Sequence, residues 1–253
     1  IAVPVDLMRR RIRSCVKGCL PSWCLLYYRR LKARRLDVEY QKLTLEGVFE
    51  KIYLENRWGG KGIDYFSGRG SHEHLLVTPY LKQVSAFLRT LPRKPIIVDL
   101  GCGDFNVGKE LVPLSGNYIA CDIVPGLIER NKKHFEQSNV DWRVVNIVDD
   151  RLPLGDIALI RNVFQHLSNS QVHQVLSKVG QYSYLLITED APNEVFTENI
   201  DKFAGSNIRY AVNSAVNVTS PPFNLKVKSE KILCDTVFQD GKRMMRTILY
   251  ELA

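Results

Sequence analysis

An α/β fold built on a largely parallel sheet is what this sequence predicts, on three observations. From Pro95 onward, short apolar runs alternate with helical patterns, the signature of a parallel sheet covered on both faces. The first of these runs ends in a glycine turn, Asp99-Leu100-Gly101-Cys102-Gly103. The last part of the chain breaks the alternation, because the apolar runs 231–238 and 242–252 flank Asp240-Gly241, a strong hairpin-turn dipeptide.

The elements follow in order. Residues 1–42 read as a basic amphipathic helical extension, two short helices joined near Pro21, with Leu7, Ile12, Val16 and Leu20 sharing an apolar face. Residues 43–253 read as one larger domain, opened at 43–94 by a helical cap and a Gly-rich loop. The cap has helical spacing over 42–56 and 73–90, around Trp58-Gly59-Gly60-Lys61-Gly62 and Ser67-Gly68-Arg69-Gly70-Ser71. Strands are predicted at 96–100, 117–121, 142–146, 155–160 and 183–188, and helices at 107–113, 125–137 and 169–179. With the terminal hairpin, the sheet has seven strands.

Charge separates the two parts. The chain has 253 residues and a net charge of +8, with ordinary apolar (45%) and charged (25%) fractions for a soluble globular protein. Residues 1–42 hold eleven Lys or Arg against three acids, while the remainder carries twenty-four of each sign. The body is therefore neutral, which argues against a nucleic-acid groove. The basic extension leaves three readings: contact with an anionic membrane surface, docking on a partner or second subunit, or a helical cover with a solvated charged face. Its uncharged run 18–28 is about half of the ~20 residues a membrane span needs, and Pro21 interrupts it. No small-residue cleavage site follows, so a signal peptide is not expected. The chain begins at Ile1 rather than Met, which leaves a preceding segment open. Cys15, Cys19 and Cys24 have no fourth ligand nearby for zinc, and the six scattered cysteines suit a reducing, cytoplasmic compartment.

The chemistry concentrates at strand ends. A glycine turn at the carboxyl edge of a parallel sheet lets backbone approach a ligand, with N–H groups and a crevice available there. The later positions, Phe105 and Asn106, depart from the GxGxxG of dinucleotide folds, and the leading Asp99 favours a methionyl nucleoside. About twenty residues on, the second strand ends in Asp122-Ile123, an acid for two ribose hydroxyls and an apolar neighbour for the adenine. Asp104, Asn146, Ile147 and Arg161 complete the expected cofactor contacts. Arg69 pairs either with the methionine carboxylate or an anionic acceptor, or is a solvated loop arginine. His72 and His74 read as surface residues past the loop, His72 within possible reach of the substrate. Trp58 either stacks on a sugar ring or packs the loop.

The segment Asp156-Ile157-Ala158-Leu159-Ile160-Arg161-Asn162-Val163-Phe164-Gln165-His166-Leu167 resembles the fourth-strand motif of class I S-adenosylmethionine-dependent methyltransferases. That resemblance covers roughly residues 95–190 and implies a Rossmann-like sheet with S-adenosylmethionine as cofactor. A closer one spans about 48–252. Trp58-Gly59, Ser67 to Ser71, Gly103-Asp104-Phe105-Asn106, His166-Leu167-Ser168 and Pro221-Pro222-Phe223-Asn224-Leu225 resemble a bacterial methyltransferase family often encoded beside glycosyltransferases in surface-polysaccharide clusters. By association it implies a glycan or glycan-precursor acceptor, methylated on a sugar hydroxyl. The family tends to carry Asp where Asn146 and Asn162 stand here. An Asn cannot act as a general base and is a weaker metal ligand, so no metal site is expected. His166, by its near-neutral pKa, is the candidate base, or else a helix cap; Asp190, after the fifth strand, is the second catalytic candidate. A small-metabolite methyltransferase and an inactive cofactor-binding scaffold are the alternatives.

Overall fold

The computed structural model describes residues 39–136 and 139–253. The chain divides into two units, residues 1–42 and Leu43–Ala253. The helices expected within 1–36 lie outside the described residues.

Helix α1 (Leu45–Leu54) begins where the Thr44 hydroxyl accepts the Gly47 N–H at 3.2 Å, and it buries Val48 and Ile52. The glycine-rich loop leads to a single helical turn, α2 (Arg69–His72), and then to α3 (His74–Thr90). Leu76, Tyr80, Val84 and Leu88 recur every fourth residue on α3, so one stripe of that helix is buried.

The sheet strands are β1 (Ile96–Leu100), β2 (Asn117–Asp122), β3 (Val140–Val144), β4 (Ile157–Arg161) and β5 (Tyr184–Pro192), followed late in the chain by β8 (Val227–Val237) and β9 (Arg243–Leu252). They lie in the order β3-β2-β1-β4-β5-β9-β8. The first five are parallel; β9 runs antiparallel between β5 and β8. Helices α4 (Pro125–His134) and α5 (Asn169–Leu176) join β2 to β3 and β4 to β5. A two-stranded ribbon, β6 (Thr197–Glu198) with β7 (Ser214–Ala215), lies in the connection between β5 and β8.

Alternate side chains of β1 feed two cores. Ile97 joins Tyr80, Val84, Leu88 and Tyr118 under α3, while Val98 and Leu100 join Ile160, Val172 and Val175 under α5. The chain winds away from β1 in both directions, to β2 and to β4. That reversal opens a crevice at the carboxyl ends of these strands, where ligands of open α/β sheets bind.

Three expectations are corrected. The helix predicted at 107–113 is two 3-10 turns, Gly108–Glu110 and Val112–Leu114. Pro113 lacks an N–H, and Gly108 lies so close beneath Phe105 that a Cβ there would meet its ring at 2.5 Å. The third strand is Val140–Val144 rather than 142–146, because Asn146 opens a turn: its Oδ1 accepts the Val148 N–H at 3.0 Å. The fifth strand runs on to Pro192, held by β9, so Asp190 sits inside β5 rather than after it.

Candidate functional site

A deep cleft at the carboxyl edge is lined by the glycine turn, the ends of β2, β4 and β5, and the cap residues Phe49, Tyr53 and Trp58. Its donor half is built on β1 and β2. Gly101 and Gly103 have φ of 92° and 56°, the left-handed region that glycine tolerates. A Cβ on Gly101 would strike Val163 at 2.4 Å, and one on Gly103 would strike the Ser67 hydroxyl at 2.4 Å.

The N–H groups of this turn are already used, against expectation. Gly101 and Cys102 donate to the Cys121 carbonyl at 2.9 and 2.8 Å, Gly103 to Asp122 at 3.1 Å, and Asp104 to the Ser67 hydroxyl at 2.8 Å. A pyrophosphate needs free amides and a helix N-terminus; here the amides are taken and 3-10 turns follow. The crevice therefore suits a nucleoside without phosphates. Asp122 keeps spare lone pairs beside Ile123 and is pushed up to about 6 by burial, against the pull of the Val124 and Gly103 N–H groups. Those pairs face the cleft where ribose hydroxyls would lie. Burial likewise raises Asp99 to about 7, although the Tyr118 hydroxyl donates to it at 2.8 Å. Ile147 lines the same end.

Several predicted donor contacts are turned elsewhere. Asp104 accepts the Ser67 N–H at 2.9 Å and pairs with His72 Nε2 at 2.6 Å, so it clamps the glycine-rich loop and is not free for a ligand. His72 stays at the surface as expected, but it is stacked on Phe66 and buttresses the loop through Asp104. Arg69 is largely exposed at the cleft rim and pairs with Glu73. Asn146 reaches the cleft, but its Oδ1 caps its own turn and its amide donates to Asp149 at 2.7 Å. The two family tetrapeptides are also scaffold. Phe105 fills the core with φ 63°, Asn106 donates to the Ser71 carbonyl at 2.8 Å, and Phe223 is buried in the core under α5.

The acceptor half lies over β4, β5 and β9, and its polar atoms are not all satisfied. Asn162 Oδ1, Asp190 Oδ1, Arg161 Nε and Trp58 Nε1 are buried, without hydrogen-bond partners, and all four residues line the cleft. Asn162 holds φ 57°, a conformation Asn accepts more readily than most residues. Arg161 donates to the Gly70 carbonyl at 2.7 Å and lies 4.9 Å over the Tyr80 ring, tying the loop to β4. Trp58 packs against Tyr53 and His166, with centroids 5.2 and 4.8 Å away.

His166 and Asp190 both reach this half, in different states. His166 Nδ1–H donates to the Gly205 carbonyl at 3.1 Å, and Gln165 Nε2 stands 3.5 Å from its other nitrogen. Burial, reinforced by Lys202, pushes His166 down to about 3, so it is neutral. Asp190 Oδ2 pairs with Arg243 at 3.1 Å, and burial pushes the carboxyl up to about 6 despite Arg243 and Arg161. Sequence reasoning missed Glu189, Gln165 and Arg243. Glu189 accepts the N–H groups of Val163, Phe164 and Gln165 at 3.1, 2.8 and 3.0 Å, fixing the turn that carries His166. The acid pair Glu189-Asp190 at a strand end was the available signal; nothing local marks Arg243.

The glycine cradle and the Asp122 carboxylate fit a methionyl nucleoside. Residues 97–182 match a family described as a methyltransferase domain. No curated protein sequence matches the chain. Among solved structures the chain is similar to the N-methyltransferase NodS from Bradyrhizobium japonicum WM9 in complex with S-adenosyl-L-homocysteine, at 12% identity and a TM-score of 0.53, over 81% of this chain and 98% of that one. It is also similar to a methyltransferase from Leishmania major (15%, TM-score 0.51, 71% and 74% covered) and to the N-terminal domain of EvdMO1 with S-adenosyl-L-homocysteine bound (13%, TM-score 0.51, 83% and 98% covered). These likenesses are likenesses of fold: the class I methyltransferase sheet. Residues 97–182 thus carry a methyltransferase domain, and its nucleoside cleft fits S-adenosylmethionine as the donor. Among the described residues no helix is long and apolar enough to cross a membrane, and no group of three His, Cys, Asp or Glu is placed to hold a metal ion.

Proposed function

We propose that this enzyme methylates a hydroxyl of a sugar, in a surface glycan or its precursor. The observation that carries the reading is the pair of buried oxygens, Asp190 Oδ1 and Asn162 Oδ1, left without partners at the acceptor end. Buried acceptors cost free energy unless a donor reaches them, and the hydroxyls of a sugar are such donors. Trp58 and Phe238, which line the cleft, supply aromatic surface of the kind sugars pack on.

The donor's sulfonium supplies the activated methyl; the protein supplies alignment and a place for the proton. Asp99, Asp122 and the glycine turn hold the nucleoside, with Asn162 and Arg161 on the acceptor side of its methionine end. Asp190 accepts the proton of the attacking hydroxyl on Oδ1. It is ionised near neutral pH, and Arg243 orients it. His166, neutral and hydrogen-bonded at both nitrogens, orients rather than accepts, so the preferred base moves from His166 to Asp190. The basic segment within 1–36 supports a cytoplasmic enzyme working against an anionic membrane surface on lipid-linked intermediates, with no nucleic-acid partner.

The test is transfer of labelled methyl from S-adenosylmethionine to fractionated polysaccharide and lipid-linked intermediates, with Asp190→Asn and His166→Ala alongside. Label is expected in a sugar-containing fraction and lost in the Asp190 variant. Label appearing only in apolar metabolites overturns the sugar reading. Donor binding without turnover on any fraction points to the scaffold alternative.

A further inference from the structure

The geometry points to Arg243 as the anchor for an anionic group on the acceptor, and we propose a sugar bearing a carboxylate or a phosphate close to the methylated hydroxyl. The proposal rests on the sugar reading above and narrows it.

Position comes first. Arg243 pairs with Pro192 at the far end of β5, on strand β9. Strands are spaced about 4.8 Å, so β9 stands roughly 14 Å from the glycine turn on β1 and roughly 10 Å from β4. The nucleoside crevice spans β2, β1 and β4. Arg243 therefore belongs to the side of the cleft where the acceptor enters, beyond the methionine end of the donor.

Its preparation comes second. The guanidinium carbon lies 3.9 Å over the Phe238 ring and 5.5 Å from the Tyr210 ring, which fix its plane. The side chain is only 19% exposed and lines the cleft. Of its five N–H donors, Nη1 bonds Asp190 Oδ2 in a single contact at 3.1 Å. A planar fork with donors remaining matches a carboxylate or phosphate in two-point contact.

Charge comes third. Two guanidinium groups, Arg161 and Arg243, share this half of the cleft with one ionised carboxylate, Asp190. Glu189 and Asp99 also influence Arg161, but burial pushes them up to about 8 and about 7, so neither offers a full charge at neutral pH. A neutral sugar leaves a buried cationic excess, which is costly; an anionic one balances it. The same molecule presents a hydroxyl to Asp190 Oδ1, so the hydroxyl and the anion fall within one sugar unit.

The experiment uses the full chain loaded with S-adenosyl-L-homocysteine, titrated calorimetrically with D-glucuronate, D-glucose and inorganic phosphate. Glucuronate is expected to bind at least about tenfold tighter than glucose. Arg243→Met, which keeps a stem over Phe238 and removes the fork, is expected to erase that preference and phosphate binding, with affinity for the loaded nucleoside within about twofold. Arg243→Lys, which keeps the charge without the fork, should retain a weaker preference and guards against a misfolded Met variant. Equal binding of glucose and glucuronate overturns the anchor and leaves the sugar reading standing. Arg243-dependent phosphate binding with both sugars silent keeps the anchor and removes the sugar. A loss of nucleoside affinity in Arg243→Met assigns the guanidinium to the donor's carboxylate and overturns the proposal.

Discussion

The two halves of the cleft differ in how completely they are hydrogen-bonded. On the donor side, every N–H from Gly101 to Asp104 ends on a protein oxygen, and Asp104 joins the turn to the loop at Ser67 and His72. On the acceptor side, four buried polar atoms have no partner. A complete network holds its shape before any ligand arrives, whereas an incomplete one defines which groups a ligand must bring. The donor half is thus a fixed mould, and the acceptor half is a specification for polar partners.

That contrast yields predictions of graded size. Asp190→Asn should lower kcat by about 100- to 10,000-fold, the range for loss of a general base, with nucleoside affinity unchanged in calorimetry. An equal loss in both would place Asp190 in the mould and break the distinction. Asp104→Ala should behave the opposite way. It removes the acceptor of the half-buried Ser67 N–H and the partner of the His72 ring, and a cost of about 1–2 kcal/mol should appear as a lowered Tm and weakened nucleoside binding. Tyr118→Phe removes one hydrogen bond to Asp99 and should cost only about 1 kcal/mol, read from urea unfolding.

Protonation sharpens the same contrast. If Asp190 accepts the proton, kcat/KM falls about tenfold per unit of pH below about 6 and levels above it. Stability moves the other way. Asp99 and Glu189 have folded pKa values raised to about 7 and about 8, above their unfolded values, so the native state holds more protons in that window. The contribution is full at low pH and is lost as pH rises through 7 and 8, at most about 1.4 kcal/mol per group per pH unit. Thermal melts of the ligand-free protein should therefore give a higher Tm at pH 6 than at pH 8.

The centre of the sheet was legible because β1, β2 and β4 are short apolar runs buried on both faces, and β1 and β2 lie where their sequences place them. The hairpin was legible from Asp240-Gly241. What escaped depended on contacts distant in sequence. Asp104 reads as a ligand until Ser67 and His72, 37 and 32 residues earlier, fold onto it. His166 has the residue type of a base, but its burial and its bond to Gly205, 39 residues later, set its state. Helix periodicity at 107–113 concealed the close packing of Gly108 beneath Phe105. Arg243 looks like any cation after a hairpin until β9 pairs with β5 and brings it to Asp190.

Trp58 gives the cleft an optical gauge. Its indole N–H is buried with no acceptor, and its ring leans on His166 at the acceptor end. Trp142, by contrast, sits between Phe105 and Phe135 in a core patch away from the cleft lining. An acceptor that offers an oxygen to the indole changes the polarity seen by one chromophore and not the other. With Trp23 and Trp142 replaced by Phe, emission from Trp58 would follow occupancy of the acceptor half in real time, so unlabelled glycans could be screened by colour shift before any turnover is detected.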